Sequence, residues 1–173
     1  MTCLKKLACK HGMQGKCLCL FWYGNDQNNH IKTPFMKASI ALADHHVHYR
    51  HGLASLLTAL DYTVLFEACN GQLFLDKLIN HPEPQIALID INMRVMDGYE
   101  TTLYLKRHYP SIKVLALSMY HDENAVIRMF SHGAKGFILK DCEPAQLEDA
   151  LNALLQGGFY YAEPVSDNEV RRT

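Results

Sequence analysis

From residue 38 onward, short apolar runs alternate with stripes of helical period. The runs are Ala38 to Ala43, Tyr62 to Glu67, Gln85 to Asp90, Ile112 to Leu117 and Gly136 to Leu139. They are too short for helices, and their near-continuous apolar character suits strands covered on both faces of a parallel sheet. Between them, apolar residues recur three and four positions apart. Val47 to Leu60 carries Leu53, Leu56, Leu57 and Leu60, and a segment opening near Asn70-Gly71 and stopping before Pro82 carries Leu73, Phe74, Leu75, Leu78 and Ile79. A third helix follows Asp97-Gly98 through Leu103 and Leu105 to Tyr109, where Pro110 stops it. A fourth spans Asp122 to His132, with Gly133 placed as its C-terminal glycine. A fifth opens at Glu143-Pro144, with proline in the first turn, and runs through Leu147, Leu151 and Leu154 to Gly157-Gly158. Five such repeats predict an α/β domain over residues 38 to 158, a doubly wound five-stranded parallel sheet with helices on both faces. The leucine stripes are accounted for as core. Residues 159 to 173 are expected to fray or to begin a linker.

The places where the runs stop are chemically pointed. The first ends at Asp44, the third on Asp90, the fourth at Ser118 and the fifth at Lys140. All strand carboxyl ends of an open parallel sheet face one crevice, where ligands bind. Two carboxylates, a hydroxyl and an ammonium are therefore expected to meet. A carboxylate there can serve as metal ligand, general base or nucleophile. Paired carboxylates raise each other's pKa unless a cation separates them, and a hard divalent ion such as Mg²⁺, which takes one or two carboxylates plus phosphate oxygen, answers that need. Lys140 adds a point charge for a phosphoryl group. Neither glycine-rich nucleotide cradle, GxxxxGK[ST] or GxGxxG, is present, so no nucleotide is expected.

Composition sharpens the picture in two ways. Hydrophobic residues at 49% and charged residues at 20% are globular values, and a net charge of -1 argues against a protein that coats nucleic acid. The charge is unevenly shared: residues 1 to 37 hold six lysines against Asp26 alone, whereas the rest holds 11 basic and 17 acidic residues. Cys3, Cys9, Cys17 and Cys19 fall in that basic part, and only Cys69 and Cys142 beyond it. Residues 1 to 37 read as an unstructured extension and linker. The spacing of Cys9, His11, Cys17 and Cys19 matches no zinc module. No run approaches the length of a membrane span, Lys5 and Lys6 interrupt any signal-like core, and the cytoplasm is the expected compartment.

Specific strings then carry a resemblance. Ile40-Ala-Leu-Ala-Asp44, Arg50-His-Gly-Leu-Ala-Ser-Leu-Leu57, Leu88-Ile-Asp-Ile-Asn-Met93, Met96-Asp-Gly-Tyr-Glu-Thr101, Lys113-Val-Leu-Ala-Leu-Ser-Met-Tyr120 and Gly133-Ala-Lys-Gly-Phe-Ile-Leu-Lys-Asp141 keep order and spacing across Ile40 to Glu163. In this the chain resembles the receiver domain of two-component response regulators, NarL/LuxR-type subgroup. The resemblance implies a flavodoxin-like (βα)5 fold with strand order 2-1-3-4-5. It implies that Asp90 takes a phosphoryl group from a sensor histidine kinase, with Asp44, Asp90 and the backbone carbonyl of Asn92 holding Mg²⁺. Lys140 would pair with the phosphoryl oxygens, Ser118 would swing toward them, and Phe137 would follow inward as an aromatic switch. The protein would then be a self-phosphorylating signalling switch rather than a turnover enzyme, with homodimerisation on phosphorylation. DNA binding, usual in this subgroup, is expected only from a further C-terminal domain and not from these residues; no membrane contact is expected.

Two positions depart from the pattern. The second acidic residue after strand 1, usually the direct metal ligand, is His45, and neutral imidazole is a poor partner for Mg²⁺, so its binding is expected to be weakened. The proline two residues after the Asn92 position is Arg94, whose guanidinium either bonds phosphate or Asp44, or points into solvent. His45, His46, His48 and His51 crowd the start of helix 1; zinc or nickel ligation is weighed there against a wet helix face, which is favoured because no Cys or Glu nearby completes a four-ligand set. The alternative to a phosphoacceptor is a degenerate receiver that binds proteins or dimerises without phosphorylation. An Asp-nucleophile hydrolase fits less well, because the second Asp expected two residues on is Asn92. A flavin site lacks its Ser/Thr-rich phosphate loop.

Overall fold

A computed structural model of the chain describes residues 37 to 161. The basic, cysteine-rich segment before them, with the Cys9, His11, Cys17 and Cys19 reading, lies outside the described residues, as does the tail beyond 161.

Five strands and five helices alternate as the pattern predicts, each within three residues of the expected bounds, and a sixth short strand follows them. They are β1 (Ser39–Ala43), α1 (Val47–Ala59), β2 (Thr63–Ala68), α2 (Gly71–Leu78), β3 (Ile86–Asp90), α3 (Gly98–His108), β4 (Lys113–Ser118), α4 (Glu123–His132), β5 (Gly136–Leu139), α5 (Pro144–Leu155) and β6 (Tyr160–Tyr161). The helix ends carry identifiable stops and starts. Asn70 accepts from the Leu73 N–H, Asp97 and Glu100 form a reciprocal capping box, and Gly133 closes α4 at φ 113, in the left-handed region that favours glycine.

The sheet is parallel throughout, but it has six strands, in the order β2-β1-β3-β4-β5-β6, rather than five. The five-strand expectation is corrected, and residues 160 and 161 of the expected tail are paired rather than frayed. Tyr160 and Tyr161 pair with Gly136 and Phe137 on the free edge of β5, and Tyr160 N–H donates to the Lys135 carbonyl at 3.0 Å. The open edge of β5 offers unpaired backbone groups, and an extended segment directly after α5 reaches them.

Period-two alternation sorts the sheet's side chains onto two faces. Ile40, Leu42, Ile86, Leu88, Leu115, Leu117 and Ile138 pack against Leu53 and Leu57 of α1 and Leu147, Leu151 and Leu154 of α5. Ala41, Ala43, Ala87, Ile89 and Ala116 face the other way, against Phe74 and Leu78 of α2, Leu105 of α3 and Met129 of α4. The small alanines on this second face leave room for Phe66, Phe74 and Phe137, all buried. At about 25 cal/mol per Å² of apolar surface removed from water, burying each such ring is worth roughly 1.5–3 kcal/mol.

Candidate phosphoacceptor site

The same alternation and register place the polar strand ends. Ala43 pairs with Ile89, so Asp44 and Asp90, each one residue further on, come side by side at the carboxyl edge. Lys140 follows Leu139 on β5 and shares the parity of Asp90, so both side chains lie toward the α1/α5 face. Ser118, in register with Leu139, falls on the opposite parity. Three of the four predicted groups are thereby brought together. Lys140 Nζ lies 2.7 Å from Asp44 Oδ2 and 3.0 Å from Asp90 Oδ1, with all three residues buried. The Lys140–Asp44 contact is one of charge and distance; neither Asp44 Oδ2 nor Lys140 Nζ completes a hydrogen bond. Ser118 Oγ instead donates to the Tyr120 carbonyl at 2.8 Å and accepts from the Tyr120 N–H at 3.2 Å. No hydrogen bond joins it to Asp90 or Lys140 among the described residues. Phe137 is already 1% exposed, seated in the α2/α3/α4 face.

The opposite edges of both carboxylates meet imidazoles. His45 Nδ1 donates to Asp90 Oδ2 at 2.6 Å, and His46 donates its backbone N–H to Asp44 Oδ1 at 2.8 Å, with its Nδ1 3.4 Å from the same oxygen. His45 thus sits directly on the predicted nucleophile. His48 and His51 are exposed on α1, with His51 Nε2 3.6 Å from Glu67. Arg94 is exposed and makes no ion pair with Asp44 or Asp90 among the described residues. It lines, with His45, Cys69, Asn70, Asn92 and Tyr99, an open crevice beside Asp90. Asn92 donates its N–H to Asp90 Oδ1 at 3.3 Å.

Two neighbours carry weight that sequence reasoning missed. Arg50 donates from its Nη1 to the Asp44 carbonyl at 2.6 Å and from Nε to Glu67 at 3.2 Å, tying the β1–α1 connection to β2. Tyr49 places its ring 5.0 Å beneath Lys140 Nζ, a cation–π distance that helps hold the buried ammonium. Burial, with Cys142, Asp44 and Asp90 nearby, pushes the Tyr49 phenol well above its usual range. The available signal was position alone: both residues fall on the first turn and a half of α1, just past the Asp44 stop.

Counted together, Asp44, Asp90 and Lys140 leave one buried negative charge without a formal partner. Burying an uncompensated charge is costly, so this cluster favours a further cation. Carboxylate oxygens by themselves suit a hard divalent ion, but the imidazoles on their other edges are a poor exchange for the oxygen ligands that Mg²⁺ prefers. Asp44, His45, His46 and Asp90 together form a group whose ligand atoms lie within 4.8 Å of one another.

This arrangement of an open parallel sheet with a buried aspartate pair and lysine at its carboxyl edge is that of a signal-receiving module, and the chain belongs to the response regulator receiver domain family, whose model matches residues 40–152. It is 32% identical over 136 residues to the transcriptional regulatory protein DegU of Brevibacillus brevis, covering 78% of this chain and 57% of that protein. It is 34% identical over 130 residues to the nitrate/nitrite response regulator NarL of Escherichia coli K12, covering 75% and 60%. The NarL/LuxR-type likeness is borne out. The chain spans less than two thirds of the length of these curated relatives. Among solved structures, a LuxR-family two-component response regulator from Aurantimonas sp. SI85-9A1 aligns with a TM-score of 0.67 at 24% identity, over 78% of this chain and 93% of that one. The isolated receiver domain of RcsB from Salmonella enterica serovar Typhimurium, solved with the phosphomimetic BeF3-, aligns with a TM-score of 0.67 at 25% identity, over 75% and 96%. Among the described residues, no helix is long and apolar enough to cross a membrane.

Proposed function

We propose that this chain is a phosphoacceptor receiver, taking a phosphoryl group from the phosphohistidine of a sensor histidine kinase onto Asp90. One observation carries the reading: a buried carboxylate, Asp90, stands at the carboxyl edge of the sheet beside Lys140, and its contact residue His45 and chain neighbours Ile91 and Asn92 line an open crevice. An Asp90 carboxylate oxygen attacks phosphorus. The new P–O bond forms as the P–N bond to the kinase imidazole breaks, and the departing imidazole takes up a proton. Lys140 turns part of its charge from Asp44 to the phosphoryl oxygens. Ser118 gives up its bonds to Tyr120 to reach the same oxygens, and the buried Phe137 occupies the space that this rotation opens. Asp44, Asp90 and the Asn92 carbonyl would hold Mg²⁺ only weakly, because His45 stands where a carboxylate ligand is usual, and an ion held there would supply charge that offsets the transferring phosphoryl group.

The protein acts as a switch, phosphorylated once per signalling cycle, in the cytoplasm. Phosphorylation has consequences only through contacts made better in one state than the other, and homodimerisation is the expected readout. RcsB, one of the structural neighbours, is described as dimers bound to DNA. DNA binding by this protein would belong to a further C-terminal domain. Incubation with acetyl phosphate or phosphoramidate, followed by mass spectrometry, tests the reading. A phosphoryl adduct mapped to Asp90 and lost in Asp90→Ala supports it. An unmodified wild-type protein, under conditions where a known receiver is modified, would return the chain to the phosphorylation-independent binding module.

A further inference from the structure

We propose that the cleft between Asp44 and Asp90 is a binding site for a nitrogen-preferring divalent ion of the Zn²⁺ class, with His45 and His46 as ligands, and that it selects such an ion over Mg²⁺. The inference concerns the metal alone and does not depend on phosphoryl transfer.

The two carboxylates are used in the same way. Each gives one oxygen to Lys140, Asp44 through Oδ2 and Asp90 through Oδ1. Each turns the other toward an imidazole: Asp90 Oδ2 lies 2.6 Å from His45 Nδ1, and Asp44 Oδ1 lies 3.4 Å from His46 Nδ1. The lysine therefore occupies one side of the carboxylate pair and leaves a two-oxygen, two-nitrogen set on the other. A ligand atom from each of the four residues falls within 4.8 Å of the rest. A tetrahedral zinc site, with bonds of about 2.0–2.2 Å, needs donor atoms roughly 3.3–3.5 Å apart. The two imidazole–carboxylate pairs, at 2.6 and 3.4 Å, are at or inside that spacing, and the four-residue set, within 4.8 Å, contracts elsewhere. The remaining contraction falls on the imidazoles, whose side chains are 34% and 48% exposed and so can rotate, while the carboxylates are 1–2% exposed. His45 gives up its hydrogen bond to Asp90 in the process, and its ring hydrogen moves from Nδ1 to Nε2.

One further observation points to a ligand rather than to a chance cluster. The buried trio of Asp44, Asp90 and Lys140 holds one negative charge in excess, and a divalent cation on the side away from the lysine answers it. The choice among cations follows from the donors. Mg²⁺ demands oxygen and a near-octahedral shell, and two imidazoles in its place are a poor exchange. Zn²⁺ accepts imidazole and carboxylate together, and stands far above Mg²⁺ for such a set. The four-ligand set that the histidine-rich helix start lacked in sequence is completed by two aspartates from different strands.

The full chain, kept reduced, is titrated with Zn²⁺ against a chelating dye and with Mg²⁺ by calorimetry, alongside His45→Asp and His46→Ala. The wild type is expected to bind Zn²⁺ at least 100-fold more tightly than Mg²⁺. One zinc equivalent should weaken about tenfold or more in each variant, the scale on which single ligand-shell groups act. His45→Asp should at the same time tighten Mg²⁺. Zinc taken by the cysteines of residues 1 to 37 is common to all three proteins, so the equivalent that the histidine changes remove belongs to the cleft. Imidazole nitrogen resonances of His45 and His46, assigned from the same variants, should shift with the equivalent that the histidine changes remove. Unchanged zinc affinity and stoichiometry in both variants, or Mg²⁺ binding as tight as Zn²⁺, overturns the proposal. Neither titration reads phosphorylation, so an Asp90 that fails to accept phosphate leaves this site standing, and the reverse.

Discussion

His45 and Lys140 hold opposite edges of one carboxylate. The His45 Nδ1 is 2.6 Å from Asp90 Oδ2, and the Lys140 Nζ is 3.0 Å from Asp90 Oδ1. Asp90 therefore has both oxygens engaged, one by a half-exposed group that can leave and one by a buried group that cannot leave without loss. The asymmetry separates what stabilises the fold from what gates the chemistry.

Lys140→Met should be severe for stability. It leaves Asp44 and Asp90 buried next to each other with no cation between them, and removing one partner of a buried ion pair typically costs about 3–5 kcal/mol. Denaturant unfolding at pH 7 checks this. A loss below about 1 kcal/mol would mean that the three charges are not coupled as the distances state.

Gly98→Ala should injure the site through the backbone. A Cβ at this position would lie 2.4 Å from the Asp90 carbonyl oxygen and 2.7 Å from Ile91 Cα, and neither can yield as a flexible side chain would. The expected cost is about 2 kcal/mol or more, the upper range for forcing a methyl into a packed place. Molecules that remain folded should also accept phosphate on Asp90 more slowly than wild type. A variant with unchanged stability and labelling would contradict the close approach.

Val95→Gly should stabilise the protein. Val95 is 84% exposed and adopts φ 73, where a β-branched residue is strained by roughly 1–2 kcal/mol. Glycine relieves the strain and forfeits little packing, but loses up to about 1 kcal/mol through its freer unfolded chain. The expected net gain is about 0.5–1 kcal/mol, visible as a higher urea midpoint at constant slope. Val95→Ala, which keeps the strain, should not reproduce it.

Alkaline stability should depend on Tyr49. Burial first, and then nearby Cys142 and Asp44, raises its phenol, so the folded protein keeps a proton that the unfolded chain releases near pH 10. The unfolded state binds fewer protons above that point, and stability falls as pH rises. The contribution is therefore whole below about pH 10 and is lost above it. Tyr62 and Tyr99, raised mainly by burial, act in the same sense, so Tyr49→Phe should flatten the alkaline decline without abolishing it. Unfolding free energies measured from pH 8 to 10.5 decide the matter, and identical slopes would remove Tyr49 from the account.

The elements and the strand ends that carry Asp44, Asp90 and Lys140 were legible in the chain because apolar periodicity and turn residues are local properties. Parity along each strand also separates Ser118 from those three, though only pairing register turns parity into distance. The sixth strand was not legible: Phe159-Tyr160-Tyr161 has no alternation of its own, and it pairs only because α5 delivers it to the bare edge of β5. Arg50 and Tyr49 look like ordinary residues of a helix start until the fold lays them against Asp44 and Lys140.

What this sequence determined unaided is the order of strands and helices, the residues that fill both faces of the sheet, and the family to which the pattern belongs. Tertiary structure alone decided that His45 touches Asp90, that His46 stands beside Asp44, and that Ser118 bonds to Tyr120 instead of the pocket. The physical reason is range. Propensity and burial act between neighbours in the chain, whereas hydrogen bonds and ion pairs act over a few ångströms between residues that only packing brings together.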